Sequence, residues 1–245
     1  MIFQSIAKKL RLPRNEDGSV AIEFAFIAPV LIIMYFGLFQ VSMLIMEDRR
    51  VSHSASVLGD LVTREDTLDK DEVLNVFQGA AEVLGMSNLK TLGTDVQMQI
   101  VSLRMVDDGA GGTEVQTIGS AVVRGNKFPS WPKICVTDID PRLLNTSSGA
   151  VVARVAYRFN MRSHADKATT DSIDTTTYID PDGNGIMLQE QVIFKPRGPV
   201  DIPFTEPTSS DPDQNRHFVC NIKNNGKVVC NGMKKATNRF LTCND

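Results

Sequence analysis

The sequence has little of what enzymes and nucleic-acid binders need. It contains three histidines, and His53, His164 and His217 share no metal-ligand spacing, which excludes an imidazole-built metal centre. No Gly-x-Ser-x-Gly elbow, phosphate loop or His-Glu-x-x-His segment occurs, so the common hydrolase, nucleotide-hydrolysing and zincin signatures are missing. The formal net charge is -3 and no basic stripe appears beyond the N-terminal flank, which removes the electrostatic footprint of DNA or RNA binding. The four cysteines include no Cys-x-x-Cys pair, which argues against structural zinc. The single tryptophan, Trp131, stands between Pro129 and Pro132 and reads as a cover for a sheet edge.

The most consequential absence is charge. From Phe24 to Met46 no side chain is charged, and at ~1.5 Å per residue such a helix crosses the ~30 Å hydrocarbon layer of a bilayer. One acid, Glu23, stands at the head of this run, where an ionisable group is a functional candidate by default. Lys8, Lys9, Arg11 and Arg14 precede the span, whereas Arg49 and Arg50 follow it beside Glu47 and Asp48. The excess of basic residues puts the N-terminus in the cytoplasm and everything after about Met46 outside. An ordinary signal peptide has an apolar region of roughly 7–15 residues before its cleavage site, and this run is longer.

The stretch Gly18-Ser19-Val20-Ala21-Ile22-Glu23-Phe24, followed by the Ala28-Pro29 step, resembles the TadE-like family of pilin-like membrane proteins of the Tad tight adherence pilus system. The resemblance runs from Gly18 to about Leu58, about a sixth of the chain. It implies cutting by a prepilin peptidase after Gly18, a mature chain beginning at Ser19, and Glu23 as its fifth residue. It also implies a bacterial inner-membrane protein, single-pass, with a cytoplasmic N-terminus and a periplasmic C-terminal domain. Other pilin-like subunits and the inner-membrane assembly platform are the implied partners, and a subunit entering a pilus would reach the cell surface. Physical chemistry supplies a reason for the pattern: the new α-amine at Ser19, with a pKa of ~8, and a neighbouring copy's Glu23 neutralise one another where water is scarce. The bland reading has Glu23 merely snorkelling to the interface.

Beyond the span, Val51, Ala55, Leu58 and Val62 recur at helical spacing, so the helix continues outside the bilayer as an amphipathic extension. A break over 63–67 precedes a second helix whose start carries a capping box, Asp69 with Glu72, and a staple from Leu68 to Val73. Val73, Val76, Phe77, Ala80 and Leu84 form its buried stripe, and Gly85 is its stop. The period then changes to two. Val96, Met98 and Ile100 begin one strand, residues 107–112 turn, and Val115 to Arg124 return. Val151, Ala153, Val155, Tyr157 and Phe159 share one face of a further strand, with Arg154, Arg158 and Asn160 on the other. Ile186 to Lys195 is the fourth. The Val-Ala-Arg-Val-Ala-Tyr strand and the one ending Lys-Pro-Arg again resemble domains attached to TadE-like helices.

The expected fold is α+β: one transmembrane helix with its extension, then a mainly antiparallel sheet domain with a disulfide-tied C-terminal hairpin. Its divisions are a leader at 1–18, the helix at 19–66, the exported domain at 67–198, a linker at 199–215 rich in proline and serine, and a cysteine-bearing tail at 216–245. Four thiols in an oxidising compartment can pair in three ways. The loop Asn224-Asn225-Gly226 favours one, because it sets Cys220 opposite Cys230 and leaves Cys135 for Cys243. Asp180, Asp182 and Asn184 match the first half of a calcium loop, but the closing acid is displaced, with Gln191 at its position. No cofactor is implied. Two function classes follow: a processed minor pilin or pseudopilin, and an unprocessed membrane scaffold or adhesin, with an exported hydrolase a distant third.

Overall fold

The computed structural model describes residues 17–86, 95–107, 109, 111–123, 128, 130–135, 137, 139–140, 142–146, 148–159, 185–198, 200–205, 216–222, 228–234 and 241. The chain forms two compact units, Met1–Met46 and Glu47–Asp245. The first holds most of a helix, α1 (Asp17–Val62), whose run from Ile22 onward is long and apolar enough to span a membrane. Its large apolar side chains face outward, with Phe26, Ile33 and Tyr35 at 76%, 72% and 69% exposure. A helix apolar all round needs lipid or other helices about it. The protein is therefore membrane-anchored through this N-terminal helix, the one such helix among the described residues.

The second unit begins with the end of α1, where Val51, Ala55, Leu58 and Val62 are all buried, as their spacing requires. α2 (Lys70–Val83) starts with the expected capping box: Asp69 accepts from the Asp71 and Glu72 amides at 2.8 Å, and Glu72 accepts from the Asp69 amide at 2.7 Å. Its apolar stripe is buried, and Gly85 follows with φ 76°, a conformation that glycine adopts without strain. Ser54 ties the two helices, donating to the Ala80 carbonyl at 2.7 Å.

The helices cover one face of a six-stranded sheet made of β1 (Val96–Asp107), β2 (Thr113–Val123), β3 (Ala150–Phe159), β4 (Ile186–Phe194), β5 (Arg216–Ile222) and β6 (Val228–Lys234), ordered β4-β3-β1-β2-β5-β6. Every pairing is antiparallel except β2 with β5. The end of α1 follows the direction of β4. Glu47 is close enough to act on Tyr157, which pairs with Leu188, while Gly59 meets the Phe194 ring and the Thr63 carbonyl accepts from the Arg197 amide at 3.2 Å. Any side chain at Gly59 would collide with that ring.

The opposite face is covered too, although the sequence held no periodic element for it. Val101, Leu103, Ala150 and Val152 pack there beneath Ile134, Ile139 and Leu144 of the irregular stretch after β2. Trp131 belongs to this cover: its ring centroid lies 5.7 Å from the guanidinium of Arg154 in β3. Since β3 is flanked by β4 and β1, Trp131 shields the sheet face rather than its edge. The stretch at 199–215, linker-like in composition, also opens with a packed segment. Ile202 and Phe204 are buried, the Ile202 amide donates to Ser102 Oγ at 3.2 Å, and Phe204 forms a parallel bridge with Leu68. Residues 206–215 lie outside the described residues.

Candidate functional site

Gly18 and Ser19 stand in the first turn of α1, with Glu23 and Phe24 one turn further on. Glu23 is exposed, and Phe24 is 65% exposed. Among the described residues no cation pairs with Glu23. The run that follows is built for an apolar medium. Ser42 satisfies its hydroxyl within the helix, donating to the Leu38 carbonyl at 2.8 Å. Pro29 lies inside the helix without ending it. Lacking an N–H, it leaves the Ala25 carbonyl without its helical donor, a deficit that partner helices can make good in a membrane. The helix thus presents one acid, a proline step and an uninterrupted apolar surface, which suits side-by-side association with other such helices.

Where the second unit begins, Glu47 is only 3% exposed and pairs with Arg50 at 2.9 Å. Burial, together with the negative charges of Glu47 and Asp95 and against that of Arg50, pushes the Tyr157 hydroxyl up to about 12. It stays protonated, and the end of α1 is seated on the sheet from its first charged residue.

Arg154 is the other deeply placed charge. Its Nε donates to Gln191 Oε1 at 2.6 Å, and its Nη1 donates to the Pro132 carbonyl at 2.6 Å and to Gln99 Oε1 at 3.4 Å. These acceptors are neutral, so desolvation is not offset by a carboxylate, and burial brings the guanidinium down to about 10. It remains charged and pins the Trp131-Pro132 segment to the sheet.

One pair resembles hydrolase chemistry and escaped the sequence reading, because its members stand 97 positions apart: Ser120 Oγ lies 2.6 Å from His217 Nδ1. Parallel pairing of β2 with β5 brings them together. Exposures of 0% and 1% deny a substrate access, so the pair serves the core.

Cys220 and Cys230 stand opposite one another in the β5–β6 register and are disulfide-bonded, as the hairpin loop implied. Cys135 is also disulfide-bonded. Cys243, the loop residues Asn224, Asn225 and Gly226, and the calcium candidates Asp180, Asp182 and Asn184 lie outside the described residues.

Residues 18–57 match the family model described as TadE-like protein, beginning at Gly18. This match links the helix to pilin-like proteins associated with the Tad pilus, a structural rather than catalytic family whose setting is one of contacts with other pilus components. No curated protein and no solved structure matches the chain.

Proposed function

We propose that this chain is a minor pilin or pseudopilin of a Tad-type (type IVb) pilus, acting in pilus assembly and surface adherence after a prepilin peptidase removes residues 1–18. The observation that carries this reading is a TadE-like segment that opens on Gly18 and sets Glu23 one turn inside an exposed apolar helix. Cleavage leaves an α-amine on Ser19, and Glu23 of an adjacent subunit receives it as the helices pack in the bilayer. Lys8, Lys9, Arg11 and Arg14 hold the leader in the cytoplasm, so the sheet domain faces the periplasm. Intact-mass analysis of the membrane fraction is expected to find a chain starting at Ser19, and Gly18→Val to leave the full-length form. Only full-length protein in a piliated wild-type cell would instead favour the unprocessed scaffold or adhesin.

The same orientation exposes all four cysteines to an oxidising compartment. The bonded state of Cys135 supports it, and the parallel bridge of Ile134 with Leu241 brings the tail beside that residue. Cys135 then pairs with Cys243. Peptide mapping without reductant is expected to recover that linkage; free thiols at Cys135 and Cys243 alone would refute this pairing, and free thiols at all four positions would reverse the membrane orientation.

A further inference from the structure

Arg154 holds a buried charge that no acid of the sheet neutralises. The residue is 4% exposed and still charged at neutral pH, whereas a buried cation is ordinarily paired with a carboxylate. Among the described residues no carboxylate pairs with it. Its neighbours in register are Gln99 on β1 and Gln191 on β4, both neutral. Glu190, the one acid of β4, belongs to the opposite face by alternation.

Donors are left over as well as charge. A guanidinium has five N–H groups, and those of Arg154 that form hydrogen bonds, on Nε and Nη1, go to Gln191, Gln99 and the Pro132 carbonyl. Nη2 enters none of these bonds. Trp131, with its ring centroid 5.7 Å from the guanidinium, adds an indole N–H that is buried and has no partner among the described residues. Buried donors need acceptors. The cluster also lies close to solvent, unlike the Ser120–His217 pair, because Gln191, Pro132 and Lys133 are exposed and Trp131 is only half-buried. Trp131 and Pro132 belong to irregular chain, so admitting a small ligand does not require opening the sheet.

These donors define the chemistry of their acceptor. Water satisfies an N–H but leaves the charge unneutralised, and a doubly charged phosphate or sulfate exchanges one buried charge for another of opposite sign. A carboxylate brings one negative charge and two oxygens in a plane, the group that a guanidinium pairs with best. Lys133, next to Pro132, adds a favourable field at the entrance.

We propose that Arg154 and Trp131 form a binding site for a small organic monocarboxylate, whose oxygens accept from Arg154 Nη2 and from the indole N–H. The bound acid neutralises the guanidinium and ties the irregular cover more firmly to β3. This site depends on neither leader removal nor membrane orientation, so it stands or falls apart from the pilin reading.

Trp131 is the sole tryptophan, so the intrinsic emission of the full chain in detergent reports this site alone. In the test, acetate or glucuronate replaces chloride at constant ionic strength and neutral pH, the first representing a simple acid and the second a sugar acid. A saturable change in emission with one or both is expected, with a rise in Tm that follows the same curve. The probe with the smaller Kd identifies the source. Arg154→Lys keeps a cation without the planar fork and should weaken binding several-fold, and Arg154→Gln should abolish it. A retained Cys220–Cys230 bond and a cooperative melt show that a variant is folded, and the wild-type titration decides the matter where one is not. No saturable response to either acid overturns the proposal. So does an equal response to sulfate, or binding that a folded Arg154→Gln chain keeps unchanged.

Discussion

Phe204→Ala is expected to destabilise the sheet domain by about 3–5 kcal/mol, the usual effect of emptying a fully buried aromatic site. Phe204 is 0% exposed; its ring fills the space that Gly119 leaves open and lies 6.1 Å from the Phe218 ring. The backbone around it is held as well, since the Leu68 amide donates to the Pro203 carbonyl at 3.0 Å and the Thr205 amide to the Leu68 carbonyl at 2.9 Å. The site therefore cannot collapse easily around a smaller residue. In thermal melts of the detergent-solubilised chain the loss should appear as a fall in Tm on the order of 10 °C. A shift within about ±0.5 kcal/mol, as for an ordinary surface position, would mean that residues 200–205 are loose chain after all.

Glu23→Ala is expected to leave membrane insertion intact and to reduce incorporation into the pilus by about tenfold or more, equivalent to ~1.4 kcal/mol or more. The two effects separate because the acid opposes insertion and favours assembly. Removing it makes the span more apolar, yet under the proposed processing it strips the Ser19 α-amine of the partner that would neutralise it away from water. The measurement is the ratio of variant in sheared surface filaments to variant in membranes. Glu23→Asp, which keeps the charge on a shorter side chain, should recover part of the loss. Wild-type incorporation of the alanine variant would reduce Glu23 to an interfacial bystander.

Elements that interact with their own neighbours were legible. The stripe Val51, Ala55, Leu58 and Val62, the Asp69–Glu72 box and the hairpin that opposes Cys220 to Cys230 each follow from local spacing, and each is present. The helix bearing Gly18, Ser19, Glu23 and Phe24 was legible for the same reason. What stayed hidden depends on distant chain. Alternation assigned Arg154 to the correct face of β3, but nothing near it announced that Pro132, Gln99 and Gln191 would surround it. Ile202 and Phe204 are isolated apolar residues among prolines, and without a period to read they look like linker. The Ser120–His217 pair requires parallel pairing between strands far apart in sequence, which no local pattern encodes.

That parallel pairing also orders events in time. The N-terminal helix is synthesised first, and β1 to β4 can zip together as antiparallel neighbours while the remainder follows. β2 nevertheless keeps a bare edge until residues 216–222 arrive and lie beside it. Non-local pairing of this kind is slow, because loop closure precedes any reward from contact. The last strands to be made, β5 and β6, thus complete the sheet, and a chain cut short of them shows an uncapped strand that attracts aggregation and proteolysis. Full length is, in this design, a condition of being sealed.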